Sequence, residues 1–239
     1  MNYYRCDLHI HSCLSPCAEL DMSPRAIAEE SSRKGLQIIA VCDHNSAENV
    51  GAAMRAGALL GVTVLAGMEI CSREEVHTLA LFGSEQAALE MQQAVYASLP
   101  GTNRPDLFGD QVVANEFDEV EGFNDRRLIG ATQLTLPDII RQVHGLGGLS
   151  IASHIDRPSY SILSQLGFIP PDIALDALEI SPGAVPPATG AQTYQLLSFS
   201  DAHAVADIGR VVTRFLLEAP TLDEIRLALA SAEGRRVGE

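Results

Sequence analysis

The sequence has no tryptophan and few positive charges. Its 239 residues include 16 lysines and arginines against 31 aspartates and glutamates, which gives a formal net charge of −15. An acidic chain without a basic and aromatic stripe opposes loose binding to a polyanion, so no duplex nucleic acid partner is expected. An anionic substrate would need a local concentration of positive charge, which bound metal ions can supply.

The sequence also shows no long apolar run, no signal-like start and no cysteine after residue 71. No apolar stretch approaches the roughly 20 residues that span a bilayer, and the start of the chain, MNYYRCDLHIH, carries no basic leader or apolar signal core. All five cysteines lie within the first 71 residues, a poor disulfide framework that fits reduced thiols. We therefore expect a cytoplasmic protein with no membrane partner.

Short apolar runs alternate with helix-like segments along most of the chain. The hydrophobic share of 46% is enough for a sizeable core. The runs are typical of buried parallel strands. After an opening strand they lie at 36–42, 62–66, 76–82, 149–153, 176–180, 196–200 and 211–217. Repeated alternation of this kind predicts a parallel sheet or barrel.

Helix signals stand between several of these runs. Ser23 and Pro24 are typical of an N-cap and a first-turn proline, and Gly35 is the stop signal. Segments 46–60 and 135–146 each end at glycine, and Thr221 with Glu224 forms a candidate capping box for the last helix.

Residues 99–134 break this rhythm. The segment is rich in turn residues and contains a candidate hairpin between VVANEF and the stretch after Glu121. Insertions of this length in compact domains are often lids or specificity elements, and a surface excursion without a role is the alternative. We expect a single domain over residues 1–239 with a lid-like insertion at about 99–134.

Side chains that bind metals concentrate near the ends of the strand-like runs. The group consists of His9, His11, His44, Glu69, His77, His154, Asp201 and His203, of which only His77 lies inside a run. The carboxyl ends of parallel strands meet on one face, so residues scattered in sequence converge there. His144 stands alone on a helix and is given no role.

The opening strand carries two of these histidines one residue apart. Residues 7, 9 and 11 share parity, so an extended strand is expected to aim Asp7, His9 and His11 to one side. The H-x-H spacing then allows two imidazoles to bind one ion from a single strand end.

Five motifs occur in order along the chain: DLHIH at 7–11, CDHN at 42–45, GMEI at 67–70 with His77 following, SHIDRP at 153–158 and SDAH at 200–203. As a set they resemble the motifs of the PHP (polymerase and histidinol phosphatase) family of metal-dependent phosphoesterases. The resemblance implies an α/β fold, a distorted (β/α)7 barrel of the PHP type with the active site at the C-terminal ends of the strands. It also implies two or three divalent ions, namely zinc, manganese or iron.

Carried over by position, the resemblance implies three metal sites. The first comprises His9, His11, Glu69 and Asp201, and the second comprises Glu69, His77 and His154, with Glu69 bridging. The third comprises His44, His203 and one residue of the loop after His11. That loop, SCLSPCAELD, has no histidine, so Cys17 is the candidate, with Glu19 and Asp21 as alternatives. A plain thiol beside a weak or empty third site also stays open, whereas a thiolate ligand would favour zinc or iron.

The implied chemistry needs no protein nucleophile. Clustered ions lower the pKa of bound water to near neutrality and clamp phosphoryl oxygens, and the sequence contains no G-x-S-x-G motif. Glu69, Asp201 and Arg157 are the candidate catalytic residues, and Arg157 is suited to bidentate contact with phosphate.

Four further residues are candidates for supporting roles. Arg126 and Arg127 of the insertion are candidate substrate-binding residues, with ordinary surface arginines as the alternative. Asp7 and Asp43 adjoin ligand histidines and are candidate acceptors that orient the imidazoles.

Three functions fit this pattern. A hydrolase of phosphate esters, acting on a small phosphorylated metabolite or nucleotide, is favoured because nearly every ligand position is filled. A nuclease that trims short single-stranded RNA or DNA ends would use the same chemistry, but the acidic composition argues against it. The third is a non-catalytic metal-binding module, and degenerate domains of that kind usually lose ligands. The expected partner is a small phosphorylated substrate, such as a nucleotide or a short oligonucleotide.

Overall fold

A computed structural model describes residues 1–185 and 193–238. Within these ranges nine strands form one sheet. They are β1 (Asn2–Ile10), β2 (Ile38–Val41), β3 (Thr63–Cys71), β4 (His77–Phe82), β7 (Leu149–Ala152), β8 (Ala177–Glu179), β9 (Gln195–Leu197), β10 (Thr213–Leu217) and β11 (Arg236–Val237). Two further strands, β5 (Val112–Ala114) and β6 (Val120–Phe123), pair with each other inside the insertion, which confirms the predicted hairpin.

Seven helices accompany the strands in the described ranges. They are α1 (Pro24–Arg33), α2 (Val50–Leu60), α3 (Glu85–Ser98), α4 (Pro105–Phe108), α5 (Leu136–Gly145), α6 (Ile162–Leu166) and α7 (Leu222–Leu229). The cap at Ser23 is confirmed, because its hydroxyl accepts from the Ala26 N–H. Thr221 likewise caps α7, because its hydroxyl accepts from the Glu224 N–H. The Glu224 carboxylate accepts from the Glu218 N–H and not from the Thr221 N–H, so only one of the two bonds of the predicted capping box is formed. None of these helices has the length and apolarity needed to cross a membrane.

The sheet is mixed, whereas the sequence predicted parallel strands. Its order is β11-β10-β1-β2-β3-β4-β7-β8-β9, with parallel pairing within β1-β2-β3 and within β7-β8-β9. The prediction is wrong for runs 76–82 and 211–217, because β4 is antiparallel to both its neighbours and β10 is antiparallel to β1. Only residues 72–76 join β3 to β4, too few for the crossover that a parallel connection requires.

The reversal of β4 explains how His77 reaches the strand ends. Cys71, the last residue of β3, pairs with His77, the first residue of β4. The amino end of β4 therefore lies at the edge where β3 and its parallel neighbours have their carboxyl ends.

The sheet curls into a nearly closed barrel. Leu197 of β9 and Phe215 of β10, from the two ends of the sheet, pack in one buried cluster with Leu8 and Ile151. The Thr213 hydroxyl donates to the Ser198 carbonyl at 2.8 Å, next to this seam. The predicted α/β class and distorted barrel are confirmed, with nine strands in the main sheet where seven were expected.

Candidate metal centre

A bulge in β1 turns His9 and His11 into the barrel mouth. Leu8 packs in the barrel interior, but Ile10, two residues later, packs in the outer cluster beneath α1 and α2. The register against β2 shifts between Asp7 and Ile10. A bulge adds one residue to the alternation and so changes which side chains face inward. As a result His9 and His11 are fully buried at the inner face.

The bulge also overturns the prediction that Asp7 faces the same side. The Asp7 carboxylate accepts from the Ser200 N–H and hydroxyl at 3.0 and 2.6 Å and from the Gly209 N–H at 2.8 Å. Burial raises the pKa of Asp7 to about 6, and the bonds from Ser200 oppose that rise. Asp7 therefore fastens the loop that carries Asp201 and His203, and does not orient an imidazole directly.

Asp43 orients one imidazole through a serine. Its carboxylate accepts from the Ser12 N–H at 2.7 Å and from the Ser15 hydroxyl at 2.6 Å. The Ser15 hydroxyl lies 3.0 Å from His11 Nδ1. The chain Asp43–Ser15–His11 fixes the ring, so that its Nε2 faces the centre of the site.

Glu69 lies at the centre of the cluster. Its carboxylate is 1% exposed and is surrounded by imidazole nitrogens. The distances to its oxygens are 3.5 Å from His9 Nε2, 3.6 Å from His11 Nε2, 3.1 Å from His44 Nδ1, 3.2 Å from His77 Nδ1 and 3.3 Å from His154 Nε2. Although burial alone would raise the pKa of Glu69, the neighbouring histidines hold it well below its usual value. One anionic carboxylate thus faces five imidazoles.

Asp201 closes the other side of the cluster. Its Oδ1 lies 3.2 Å from Nε2 of both His9 and His11, and those two nitrogens are 3.2 Å apart. Asp201 and His154 both adopt left-handed backbone conformations, with φ of 47° and 28°. This region is uncommon for residues other than glycine, although aspartate and histidine adopt it more readily than most.

Cys17 is the residue of the loop after His11 that meets the third group. Ligand atoms of His11, Cys17, His44 and His203 all lie within 4.8 Å of one another. Burial alone would raise the pKa of the Cys17 thiol, but His203 and His44 lower it to about 7. Among the described groups with metal-ligand spacing, neither Glu19 nor Asp21 takes part.

The donor set fits divalent cations. Glu69 Oε1 and His77 Nδ1 lie 3.2 Å apart without the angles of a hydrogen bond, and both atoms, like His154 Nδ1, are buried with no hydrogen-bond partner among the described residues. Burial, reinforced by His44, lowers the pKa of His11 to about 3 and so favours the neutral imidazole that binds metals, whereas Glu179 and Asp201 outweigh burial and raise the pKa of His9. Imidazole and carboxylate donors together suit zinc, manganese and iron.

Glu179 is a member of the site that the sequence did not reveal. It ends β8, is 3% exposed, and its Oε2 lies 2.9 Å from His9 Nδ1. It also accepts from the His154 N–H at 3.2 Å. The sequence feature that could have revealed Glu179 is its position as a charged residue inside the apolar run DALEI, at a strand end like the other candidates. A carboxylate bound to the far nitrogen of a ligand histidine fixes its tautomer and orientation.

Glu179→Ala is expected to weaken metal binding by about 10- to 100-fold, because losses of this kind of support fall in that range. Asp176→Ala is a matched control: Asp176 also binds an imidazole, His144 at 2.8 Å, and a backbone N–H, that of Ser150. Competitive chelation measures both. Equal affinities in the two variants would contradict the role given to Glu179.

The three arginines that were predicted to bind substrate lie at three different places in the structure. A cavity of about 190 Å³ opens over Glu69, and Arg157 lines it, with Nη1 2.5 Å from Asp201 Oδ2. Arg126 instead stacks over the Tyr96 ring at 4.1 Å. Arg127 lines an adjoining depression. Of the three, Arg157 alone lines the cavity as the described residues define it.

Solved structures share this architecture, although no family model and no curated protein matches the sequence. A two-domain protein from Bacteroides vulgatus, containing a predicted PHP-like metal-dependent phosphoesterase, aligns over 99% of this chain with 17% identity and a TM-score of 0.60. A proposed metal-dependent phosphoesterase from Bifidobacterium adolescentis aligns over 95% of it with 18% identity and a TM-score of 0.62. The chain has the PHP fold.

The PHP fold of this chain also resembles part of a larger enzyme. The lesion-specific endonuclease PfuEndoQ from Pyrococcus furiosus aligns over 99% of this chain with 21% identity and a TM-score of 0.70. The chain spans 58% of that endonuclease and 65% of the Bacteroides protein, but 96% of the Bifidobacterium protein. At these identities the likeness establishes the fold, which the sequence motifs predicted.

Proposed function

We propose that the chain is a metal-dependent hydrolase of phosphate esters that acts on a small phosphorylated metabolite or nucleotide. The observation that carries this proposal is the Glu69 carboxylate, which has five imidazole nitrogens within 3.6 Å at the mouth of a PHP-fold barrel. The free state of all five cysteines supports the proposed cytoplasmic location.

Two or three divalent ions are proposed, held by His9, His11, Cys17, His44, Glu69, His77, His154, Asp201 and His203. Such ions lower the pKa of coordinated water and neutralise charge on phosphoryl oxygens. Glu69 belongs to two of the ligand sets, and Cys17 would make zinc or iron the better fit for the third.

Arg157 and Asp201 are proposed to act together on the substrate. Arg157 is half-exposed at the cavity and is paired with Asp201 Oδ2. Burial alone would raise the pKa of Asp201, but His9 and His11 hold it well below its usual value, so the carboxylate stays ionised. When the guanidinium turns to a phosphoryl oxygen, Asp201 stays ionised beside His9 and His11 and would serve as a metal ligand, not as a base.

Cys17→Ser is expected to lower the occupancy of one ion while the ions at Glu69 stay bound, because a hydroxyl is a poorer donor than a thiolate. Cys17→His should restore that ion, and Cys13→Ser, at a buried thiol outside the cluster, is the control. Elemental analysis with competitive chelation measures all three. If Cys17→Ser binds as many ions as the parent with equal affinity, Glu19 and Asp21 become the candidates.

Hydrolysis assays on protein reconstituted with manganese, zinc or iron test the proposed activity. The panel contains phosphate monoesters, phosphodiesters and short single-stranded oligonucleotides. We expect turnover of at least one monoester class that requires the added ion. Absence of metal-dependent turnover on every member would overturn the proposal.

A nuclease is the second candidate, and the likeness to Endonuclease Q supports it. One structure of that enzyme contains a 27-mer duplex with an abasic lesion at the active site, and this chain aligns with it at a TM-score of 0.71 and covers 58% of its length. The net charge of −15 argues against a duplex substrate here. Adding single-stranded DNA and lesion-containing duplex to the same panel separates the two functions.

A further inference from the structure

A second depression continues from the cavity over Glu69. Its volume is about 300 Å³, and it shares Ile129 and Tyr160 with that cavity. The remaining lining residues are Glu75, Phe108, Arg127, Gly130 and Ala131. A ligand whose phosphate occupies the cavity over Glu69 can therefore extend into this depression without leaving the protein surface.

Tyr160 lines both the cavity over Glu69 and the depression, and its ring and backbone are fixed by contacts with His77. Its ring stacks on the His77 ring, with centroids 4.7 Å apart and planes at 23°. The Tyr160 carbonyl accepts from the His77 N–H at 2.9 Å, and the next residue, Ser161, caps α6. Tyr160 has a φ of 55° and is 41% exposed. A large aromatic residue in the left-handed region is an outlier that typically persists where function requires it.

Asn45 sets the opposite wall. It follows His44 directly, and its Nδ2 donates to the carbonyls of Leu128 and Gly130 at 2.7 and 2.8 Å. These two bonds lie on either side of Ile129, so the backbone that presents this side chain is fixed by the loop after β2, which also carries the proposed metal ligand His44.

Gln111 fastens the same segment from within the insertion. Its buried Nε2 donates to the carbonyls of Asn124 and Arg126, both at 2.6 Å, and its Oε1 accepts from the Leu128 N–H. Opening this segment would leave several buried amides without hydrogen-bond partners, which is unfavourable. These bonds hold residues 124–128 in place beside the depression, and the lid-like role of the insertion stays a prediction.

Arg127 adds an unpaired cation to the depression. Its Nε is buried and has no hydrogen-bond partner, and no ion pair of its guanidinium occurs among residues 1–185 and 193–238. An arginine side chain left in this state is suited to a π-face or a polar edge of a ligand.

We propose that this depression, which we call the ring subsite (Phe108, Arg127, Ile129 and Tyr160), takes a flat aromatic ring in the leaving group of the substrate. The ring stacks on the exposed part of Tyr160 against Ile129, while the phosphate lies over Glu69. Stacking of this kind tolerates different rings, so nucleobases and simple aryl groups share the required chemistry. The inference rests on the proposed phosphoesterase activity and narrows its substrate class to ring-bearing phosphate esters.

A binding comparison tests the ring subsite. The fluorescence of 2-aminopurine riboside 5′-monophosphate reports stacking, and calorimetry gives the affinities of this ligand, phenyl phosphate and glycerol 3-phosphate. In the parent we expect quenching on binding and tighter binding of both ring ligands than of glycerol 3-phosphate. In Tyr160→Leu the ratio of ring-ligand to glycerol-phosphate affinity should fall about tenfold, within the range seen when a stacking residue is removed.

Two further variants make the comparison decisive. Ile129→Ala should lower the same ratio without touching His77, and Tyr3→Leu, at another tyrosine that is 41% exposed, should leave it unchanged. The ring subsite would be overturned if the parent bound the ring ligands and glycerol 3-phosphate with equal affinity. It would also be overturned if Tyr160→Leu and Ile129→Ala lowered the affinity for all three ligands by the same factor. If no phosphate ester is hydrolysed, the proposed function fails, and the fluorescence titration alone decides whether a ring binds beside the cavity.

Discussion

Glu69→Gln is expected to remove at least two ions from each chain and to lower phosphoesterase turnover by about a thousandfold or more. The carboxylate lies within 3.6 Å of five imidazoles, and an uncharged amide cannot bridge cations as a carboxylate does. Loss of several kcal/mol of transition-state charge stabilisation corresponds to that factor in rate. Elemental analysis and steady-state kinetics on the same preparation measure the two effects.

Glu90→Gln supplies the control for this substitution. Glu90 is an exposed residue of α3 that accepts a hydrogen bond from Gln86, so the same chemical change there should alter neither metal content nor turnover. Wild-type turnover of Glu69→Gln on any ester that the parent cleaves would mean that the cluster is not the active site.

Removal of the ions by chelation is expected to abolish activity and to lower the melting temperature by about 10 °C. Ions present at about a thousand times their dissociation constant add about 4 kcal/mol of stability, and a chain of this size shifts by about 2–4 °C per kcal/mol. The stripped site would leave Glu69 Oε1, His77 Nδ1 and His154 Nδ1 buried without hydrogen-bond partners. Calorimetry before and after chelation, followed by addition of manganese, zinc or iron, measures the loss and its recovery.

The Glu69→Gln variant controls for effects of the chelator itself. Because it should already lack the bridged ions, chelation should shift its melting temperature much less than that of the parent. Full activity and an unchanged melting temperature in parent protein from which all metal has been removed would contradict the metal dependence.

The sequence predicts that distant residues converge wherever it also predicts the direction of the strands that carry them. His9 and Glu69 lie near the carboxyl ends of the parallel strands β1 and β3, and His44 follows β2, so their position in the sequence was enough. His77 reached the same place for another reason, because β4 runs antiparallel and begins where β3 ends. The sequence indicates the residue, and the reversal of the strand follows from the connection at residues 72–76, which is too short for a parallel crossover.

Other parts of the site depend on features that have no local signal. Parity predicted that Asp7 would face the same side as His9, and a bulge between residues 7 and 10 reversed it. Glu179 lies 170 residues from His9 in sequence, so nothing near either residue indicates the pair. The contacts of Asn45 with Leu128 and Gly130, which fix the wall of the site, span 83 and 85 residues of sequence and likewise depend on tertiary packing alone.

Anomalous diffraction from crystals of the metal-loaded protein tests the central claim most directly. Data collected at the zinc, manganese and iron edges locate each ion and identify it. We expect at least two peaks within the cluster, with Glu69 contacting both, one beside His9 and His11 and another beside His77 and His154. Maps without any peak there at saturating metal, with the Glu69 carboxylate still in direct contact with the imidazoles, would contradict the account.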